Sequence, residues 1–153
     1  MTAILTNPRE RTRFMRFAVV GIIGAVVDFG VINLLARGFN VRLVWAGSIS
    51  LIAAILSNFT FNRYWTYPDS RTKPILRQLI EFAVVSVVGL TIRIPILALL
   101  DPAIYALISR MPLYLPIFDA KTISDNLTMA IAVIVVMFWN FFVNRYWTYS
   151  DVD

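Results

Sequence analysis

The stretch NFTFNRYWTY, residues 58–67, recurs 82 residues later as NFFVNRYWTY, residues 140–149. Over the twelve positions 58–69 and 140–151, nine residues are identical. A second similarity lies upstream, where FAVVGIIG at residues 17–24 matches FAVVSVVG at residues 82–89, an offset of 65. The chain is therefore a duplicated unit whose second copy is longer by 17 residues. In membrane proteins, internal repeats of this kind are typical of transporters.

Each copy of the motif closes a long apolar run, and 59% of the 153 residues are hydrophobic. Four stretches are long enough to cross a hydrocarbon core of ~30 Å at ~1.5 Å per residue. They cover about residues 17–36, 43–61, 82–100 and 127–143. We therefore expect an all-α integral membrane protein, multi-pass in the cytoplasmic membrane of the cell, with residues 1–153 forming a single membrane domain.

Two spans per copy return the chain to its starting side, so the second copy enters the membrane in the same orientation as the first. We expect four transmembrane helices arranged as two parallel two-helix repeats. The segment Gly21-Ile-Ile-Gly24, with Gly21 and Ala25 in small-xxx-small register, predicts close helix packing in the first span. Three boundaries are also expected: a tail over residues 1–13, an end of the third span at Asp101-Pro102, and a cap on the fourth span at Ser124 or Asp125.

Lysine and arginine are distributed unequally between the two sides of these spans. Nine lie before the first span, between the second and third spans, and after the fourth, whereas four lie on the other side. Because cytoplasmic segments carry the excess of positive charge, both termini are expected to be cytoplasmic. These cations flank the membrane, so we expect the lipid bilayer and its anionic headgroups as partners, and no nucleic acid.

The chain contains no cysteine and no histidine. This composition excludes thiol nucleophiles, disulfides, imidazole bases and metal sites built from His and Cys. No glycine-rich phosphate loop is present in the sequence either. We therefore expect a protein that is not an enzyme and that has no metal, no cofactor and no catalytic residues.

One acidic and one basic residue interrupt the predicted spans. Asp28 and Arg93 are 65 residues apart, so they are equivalent in the two copies and lie at the same depth. A charge in the middle of a span costs roughly 2.5–3.5 kcal/mol on insertion scales. Two interpretations stay open: a structural ion pair across the repeat axis, and a substrate or proton site.

The motif supplies the other candidate residues. The two asparagines of each copy are four residues apart and share a helix face, where they could form interhelical hydrogen bonds or contact a substrate. Arginine and tryptophan at this depth could be interfacial anchors, but an Arg fork suits phosphate and an aromatic face suits a sugar or headgroup. The candidate substrate-binding residues are Asp28, Asn58, Asn62, Arg63, Trp65, Arg93, Asn140, Asn144, Arg145 and Trp147.

Three features together resemble the GtrA family, a group of small four-span membrane proteins of bacteria and archaea. They are Arg16-Phe17-x-x-Val20-Gly21, Asp28 in the first span, and the ending Asn-Phe-x-x-Asn-Arg-x-Trp-x-Tyr of the second. The resemblance covers roughly residues 13–149. It implies a flippase that moves polyprenyl-phosphate-linked sugars to the outer leaflet for cell-surface or cell-wall polysaccharide biosynthesis. It also implies a partner membrane glycosyltransferase.

Two other functions stay open from the sequence. The first is a membrane scaffold that recruits a polyprenyl-phosphate glycosyltransferase without moving lipid. The second is a small proton-coupled exporter that uses Asp28. We also expect the protein to be a homodimer, because four short spans enclose little volume for a headgroup.

Overall fold

The computed structural model describes residues 7–110 and 119–152, and every regular element within these ranges is helical. Helix α1 spans Pro8–Asn33, α2 Leu43–Phe61, α3 Ile75–Ile108 and α4 Ala120–Val143. Three of them continue into a five-residue π-helical turn: Leu34–Gly38 after α1, Asn62–Thr66 after α2 and Asn144–Thr148 after α4. The described part of the chain contains no strand, so the expected all-α class is confirmed.

All four helices are long and apolar enough to cross a membrane. With their π-helical turns they form the candidate spans Pro8–Gly38, Leu43–Thr66, Ile75–Ile108 and Ala120–Thr148. Their apolar side chains mostly point outward; Ile22, Val26 and Phe29 of α1, for example, are each about two-thirds exposed. Outward-facing apolar surface over such lengths suits contact with lipid, which supports a multi-pass membrane protein.

The described residues divide into two compact units. The first contains α1, α2, the beginning of α3 up to Val84, and the chain from Val143 onward. The second is Val85–Phe142, which holds the rest of α3 and nearly all of α4. The first unit thus contains the ends of both copies of the repeated motif.

Within the first unit, α1 and α2 pack closely at Gly24. A Cβ at this position would collide with the side-chain amide of Asn58 on α2. The expected packing role of Gly21 and Ala25 is wrong, since both are exposed and a Cβ at Gly21 would meet nothing within 4 Å. The reason is helical geometry: Val20 and Gly24 share the buried face, whereas Gly21 and Ala25 lie on the adjoining face that points outward.

Within the second unit, α3 and α4 pack through an equivalent pair. A Cβ at Gly89 would lie 3.0 Å from Nδ2 of Asn140. The indole N–H of Trp139 donates a hydrogen bond to the Val85 carbonyl at 3.2 Å. Gly89 and Asn140 are the counterparts, in the second copy, of the glycine and asparagine that meet in the α1–α2 hairpin. The same close approach therefore occurs once in each unit.

The expected N-terminal tail is wrong for its second half, because residues 8–13 already belong to α1. The Asn7 side chain caps this helix by accepting a hydrogen bond from the Arg9 amide at 2.9 Å. Pro8 at the first helical position favours the same start. A backbone N–H at this position has no partner within the helix, so proline loses no hydrogen bond there. Residues 1–6 of the predicted tail lie outside the described residues.

The helices of the third and fourth spans do not end and begin at the expected residues. α3 passes through Pro102 and ends at Ile108, because a proline inside a helix removes a hydrogen bond without having to end the helix. At the start of α4, the Asp119 carboxylate accepts a hydrogen bond from the Thr122 amide at 2.8 Å. Hydrogen bonds from the Thr122 hydroxyl and amide hold the pKa of Asp119 below its usual value. Asp119 therefore caps α4, and both residues predicted as caps lie inside the helix.

Candidate functional site

Both copies of the motif end in the same π-helical turn. The Tyr67 amide donates to the Asn62 carbonyl at 2.8 Å, and the Tyr149 amide donates to the Asn144 carbonyl at 2.8 Å. Such turns are rare in proteins as a whole, and those that occur are often found at functional sites. In each copy the wide turn buries the Asn, Thr and final Tyr of NRYWTY and leaves the Tyr-Trp pair at its centre on the surface. The repeated hexapeptide is thus one local structure made twice.

The two copies meet in the first unit through their last tyrosines. Tyr67 and Tyr149 are fully buried, and their rings stack with centroids 4.3 Å apart and planes 17° apart. Burial raises the pKa of both hydroxyls well above the usual value, because a phenolate would lose its hydration. Stacking of this kind stabilises a pair by about 0.5–1.5 kcal/mol beyond the area buried. The tyrosines therefore join the ends of the two motif copies.

A buried ion-pair network lies beside the tyrosines. The Glu10 carboxylate accepts hydrogen bonds from Arg13 at 2.6 Å and from Nε of Arg145 at 3.1 and 3.2 Å. Arg145 also donates to the Val152 carbonyl at 2.9 Å, and the Arg13 guanidinium lies 5.8 Å from the ring centroid of Tyr67. The side chains of Glu10, Arg13 and Arg145 are only 11%, 9% and 13% exposed. Glu10 therefore connects the start of α1 to the end of the second motif copy.

In each motif copy, a cationic side chain donates a hydrogen bond to the backbone carbonyl of the tryptophan. Arg16 donates to the Trp65 carbonyl at 2.9 Å, and the ammonium of Lys73 donates to the Trp147 carbonyl. Lys73 is held in turn by Glu81 at 3.2 Å. Helix ends leave carbonyls without helical partners, and their dipole favours positive charge. These two cations therefore stabilise the two turns in the same way.

Six of the predicted site residues come together in the first unit. Asn62, Arg63 and Asn144 are buried, whereas Trp65 and Trp147 lie on the surface. Among the described residues, Nε and Nη1 of Arg63 have no hydrogen-bond partner although both atoms are buried. The sixth residue, Arg145, donates hydrogen bonds to Glu10. The two arginines of the motif thus have different environments.

The other four predicted residues are described within their own units. Asn58 and Asn140 pack against the glycines of their own hairpins. Asp28 is half-buried on α1 in the first unit, and Arg93 is half-buried on α3 in the second. The proposed pairing of the two charges stays a prediction.

An open groove of about 290 Å³ lies between the start of α1 and the segment after α2. Arg9, Arg13 and Arg16 line it, and their spacing of four and three residues places all three on one helix face. Thr66 and Asp69 line it from the end of the first motif copy. The groove therefore carries three cations and a single carboxylate.

Several residues of this site were missed from the sequence. Tyr67 and Tyr149 could have been selected, since they occupy the same position in the two motif copies. Tyrosine near a membrane surface is, however, usually an interfacial residue. The spacing of Arg9, Arg13 and Arg16 was also visible, but it required the helix to begin at residue 8. Burial of charged residues near a terminus is uncommon, so Glu10 could not be selected from the sequence.

The fold and site define an all-helical, multi-pass membrane protein whose motif ends form a cationic surface rich in aromatic residues. The family model described as GtrA/DPMS, transmembrane domain, matches residues 16–149, and the chain belongs to this family. Membership suggests involvement in the handling of polyprenyl-phosphate sugars, and family members are in general flippase-type membrane proteins rather than enzymes. No curated protein sequence matches the chain.

Proposed function

We propose that this protein is a flippase that moves a polyprenyl-phosphate-linked sugar across the cytoplasmic membrane for cell-surface polysaccharide synthesis or glycosylation. The main support is the meeting, in the first unit, of both NRYWTY turns with the arginines of α1. A phosphate-linked sugar combines an anion with a polar ring, and it is suited to a surface that offers guanidinium groups beside Trp and Tyr faces. The family to which the chain belongs supports the same substrate class.

In this proposal the motif ends face the cytoplasm. The unequal distribution of cations supports this orientation, with both termini inside. The four spans form one membrane domain of two parallel two-helix repeats, and a membrane glycosyltransferase delivers the lipid from the cytoplasmic leaflet. A second copy of the chain would complete the path for the headgroup.

The motif residues have two kinds of role in this proposal. Arg63, whose buried Nε and Nη1 have no hydrogen-bond partner among the described residues, contacts the anionic headgroup during its passage, and the polar motif residues Asn62 and Asn144 contact its sugar. Arg145 has a structural role instead, because Glu10 and the Val152 carbonyl already accept its hydrogen bonds. Replacement of Arg63 should therefore impair transport more than replacement of Arg145, although the two arginines are equivalent in the repeated motif.

The test is reconstitution of the purified chain into phosphatidylcholine vesicles that contain a polyprenyl-phosphate sugar. Periodate added outside oxidises only the sugars in the outer leaflet, so transbilayer movement appears as a rise in the oxidised fraction above that of empty vesicles. We expect movement with the unmodified chain and with Arg11→Gln, a surface change of the same charge, and a loss of movement with Arg63→Gln.

Absence of movement by a folded, inserted chain would reject the flippase. The scaffold function would then be supported if the same chain retained a membrane glycosyltransferase during purification. Movement that depended on a pH gradient and was lost in Asp28→Asn would instead identify proton coupling.

A further inference from the structure

We propose that the groove between α1 and the segment after α2 is a binding site for one lipid phosphate per chain. Its guanidinium groups contact the phosphate oxygens, and Trp65 contacts the part of the headgroup beyond the phosphate. This site deepens the proposed function and rests on it for the identity of the lipid. It differs from the motif arginines, since it is formed by α1 and by Thr66, a motif residue that was not among the candidate substrate-binding residues.

The first support is the arrangement of cations. Arg9, Arg13 and Arg16 follow one face of α1, and Asp69 is the carboxylate that lines the groove with them. Glu10 does not line the groove but pairs with Arg13 at 2.6 Å, so Arg9 and Arg16 are the cations most available to a phosphate. Arg16 is positioned in advance by its hydrogen bond to the Trp65 carbonyl at 2.9 Å, and its guanidinium lies 5.6 Å from the centroid of the Trp65 ring. A guanidinium has five N–H donors, so Arg16 retains donors for a phosphate in this position. Positioning before binding reduces the entropy lost on binding.

The second support is a hydroxyl group. Thr66 lines the groove and is 1% exposed, yet its Oγ1 has no hydrogen-bond partner in residues 7–110 and 119–152. Thr148, its equivalent in the second motif copy, donates to Oδ1 of Asn144 at 2.8 Å. Buried polar atoms nearly always have a partner. A phosphate oxygen in the groove would supply the partner that Thr66 lacks.

The third support is that the second copy lacks this chemistry. At an offset of 65, Gln78 stands where the first copy has Arg13, and Glu81 stands where it has Arg16. Glu81 is already paired with Lys73 at 3.2 Å. A carboxylate and an amide in place of two guanidinium groups do not attract a phosphate. The site therefore exists once in each chain.

Two lipids could supply the phosphate: a polyprenyl-phosphate sugar and an ordinary anionic phospholipid. Native mass spectrometry of the full chain in detergent distinguishes them by mass and counts the bound molecules. The probes are a polyprenyl phosphate, its hexose-linked form and phosphatidylglycerol, titrated separately and in competition. The proposal predicts one bound molecule per chain at low concentration.

Two variants test the site, and a third is the matched control. Arg16→Gln removes one charge-assisted contact and should weaken phosphate-lipid binding about tenfold or more. Thr66→Val keeps the shape of the side chain and should weaken binding severalfold. It should not lower the melting temperature of the lipid-free chain, because the Thr66 hydroxyl has no hydrogen-bond partner in the part of the chain that the structure describes. Arg11→Gln removes the same charge from an exposed position on α1 outside the groove and should leave binding unchanged.

Equal weakening by Arg11→Gln and Arg16→Gln would overturn the site, because only diffuse charge would then be involved. Two equivalent lipids per chain, or unchanged binding in both Arg16→Gln and Thr66→Val, would also overturn it. Preferential binding of the hexose-linked lipid supports the site with the proposed substrate, and equal competition by phosphatidylglycerol supports it with a membrane phospholipid. Site-dependent binding without vesicle transport would reject the flippase alone, whereas transport with unchanged binding in these variants would reject the groove alone.

Discussion

Replacement of Glu10 by glutamine should destabilise the protein more than its position near the N-terminus suggests. The carboxylate accepts hydrogen bonds from two guanidinium groups, those of Arg13 at 2.6 Å and Arg145 at 3.1 Å, and all three side chains are nearly buried. Glutamine keeps one acceptor oxygen but removes the charge. Two buried cations are then left without their main counter-charge.

The expected magnitude follows from the remaining partners. Loss of one member of a buried ion pair costs about 3–5 kcal/mol. Arg13 still has Asp69 at 3.7 Å, and Arg145 still has the Val152 carbonyl at 2.9 Å. The cost is therefore expected at the lower end of this range. We expect a loss of about 3 kcal/mol in the free energy of unfolding, or a fall of about 6–12 °C in melting temperature.

The assay is thermal unfolding of the purified chain in detergent, followed by circular dichroism. Asp125→Asn is the matched control, because Asp125 and its partner Lys121 are about half exposed, and such pairs contribute about 0–1 kcal/mol. The double change Glu10→Gln with Arg145→Gln should cost less than the sum of the single changes, by about 1 kcal/mol or more. Additive losses, or a melting temperature equal to that of the control, would refute the buried network.

Three further predictions concern packing, topology and pH. Gly24→Ala should cost about 1–3 kcal/mol of unfolding free energy in the same assay, since its Cβ would overlap a packed amide, whereas Gly21→Ala should have no effect. Single cysteines at the exposed positions Ser109 and Ser150 should react with a membrane-impermeant maleimide from opposite sides; labelling of both from outside would reject the topology. Burial raises the pKa of Asp151, but hydrogen bonds from nearby hydroxyl and amide groups outweigh it and lower the pKa below its usual 3.8. The stability due to Asp151 is therefore present above about pH 4 and lost below it, and Asp151→Asn should remove this part of the acid dependence of the melting temperature.

The helices were predictable from the sequence, but most of their ends were not. Hydrophobicity predicted a second segment at 43–61, and α2 has these same bounds. The other helices begin earlier than the apolar runs, and charged residues near the start of each helix bind one another. Arg77 and Glu81 at the start of α3 are joined at 2.9 Å, and such pairs let a helix extend beyond the residues that lipid would contact.

The importance of the motif was predictable, but its mechanism was not. The repetition of NRYWTY indicated that this motif is important. Its aromatic residues could be interpreted as an interfacial belt on an ordinary α-helix. The π-helical turn reverses part of that interpretation, since it buries Tyr67 and Tyr149 and exposes Trp65 and Trp147. Periodicity based on 3.6 residues per turn does not predict a turn closed by a hydrogen bond to the sixth residue.

The two motif copies meet closely, and this accounts for the different charges of α1 and α3 beside them. Tyr67 and Tyr149 stack at 4.3 Å, so phosphate sites built in the same way on both turns would hold two anions in one small unit. Two like charges so close together repel each other strongly where little water separates them. In the second copy, the groove arginine Arg16 is replaced by Glu81, which binds Lys73, and this internal pair occupies the place of a second ligand. The duplicated backbone thus provides two equivalent turns, and the different charged residues of α1 and α3 leave one of them open to a phosphate.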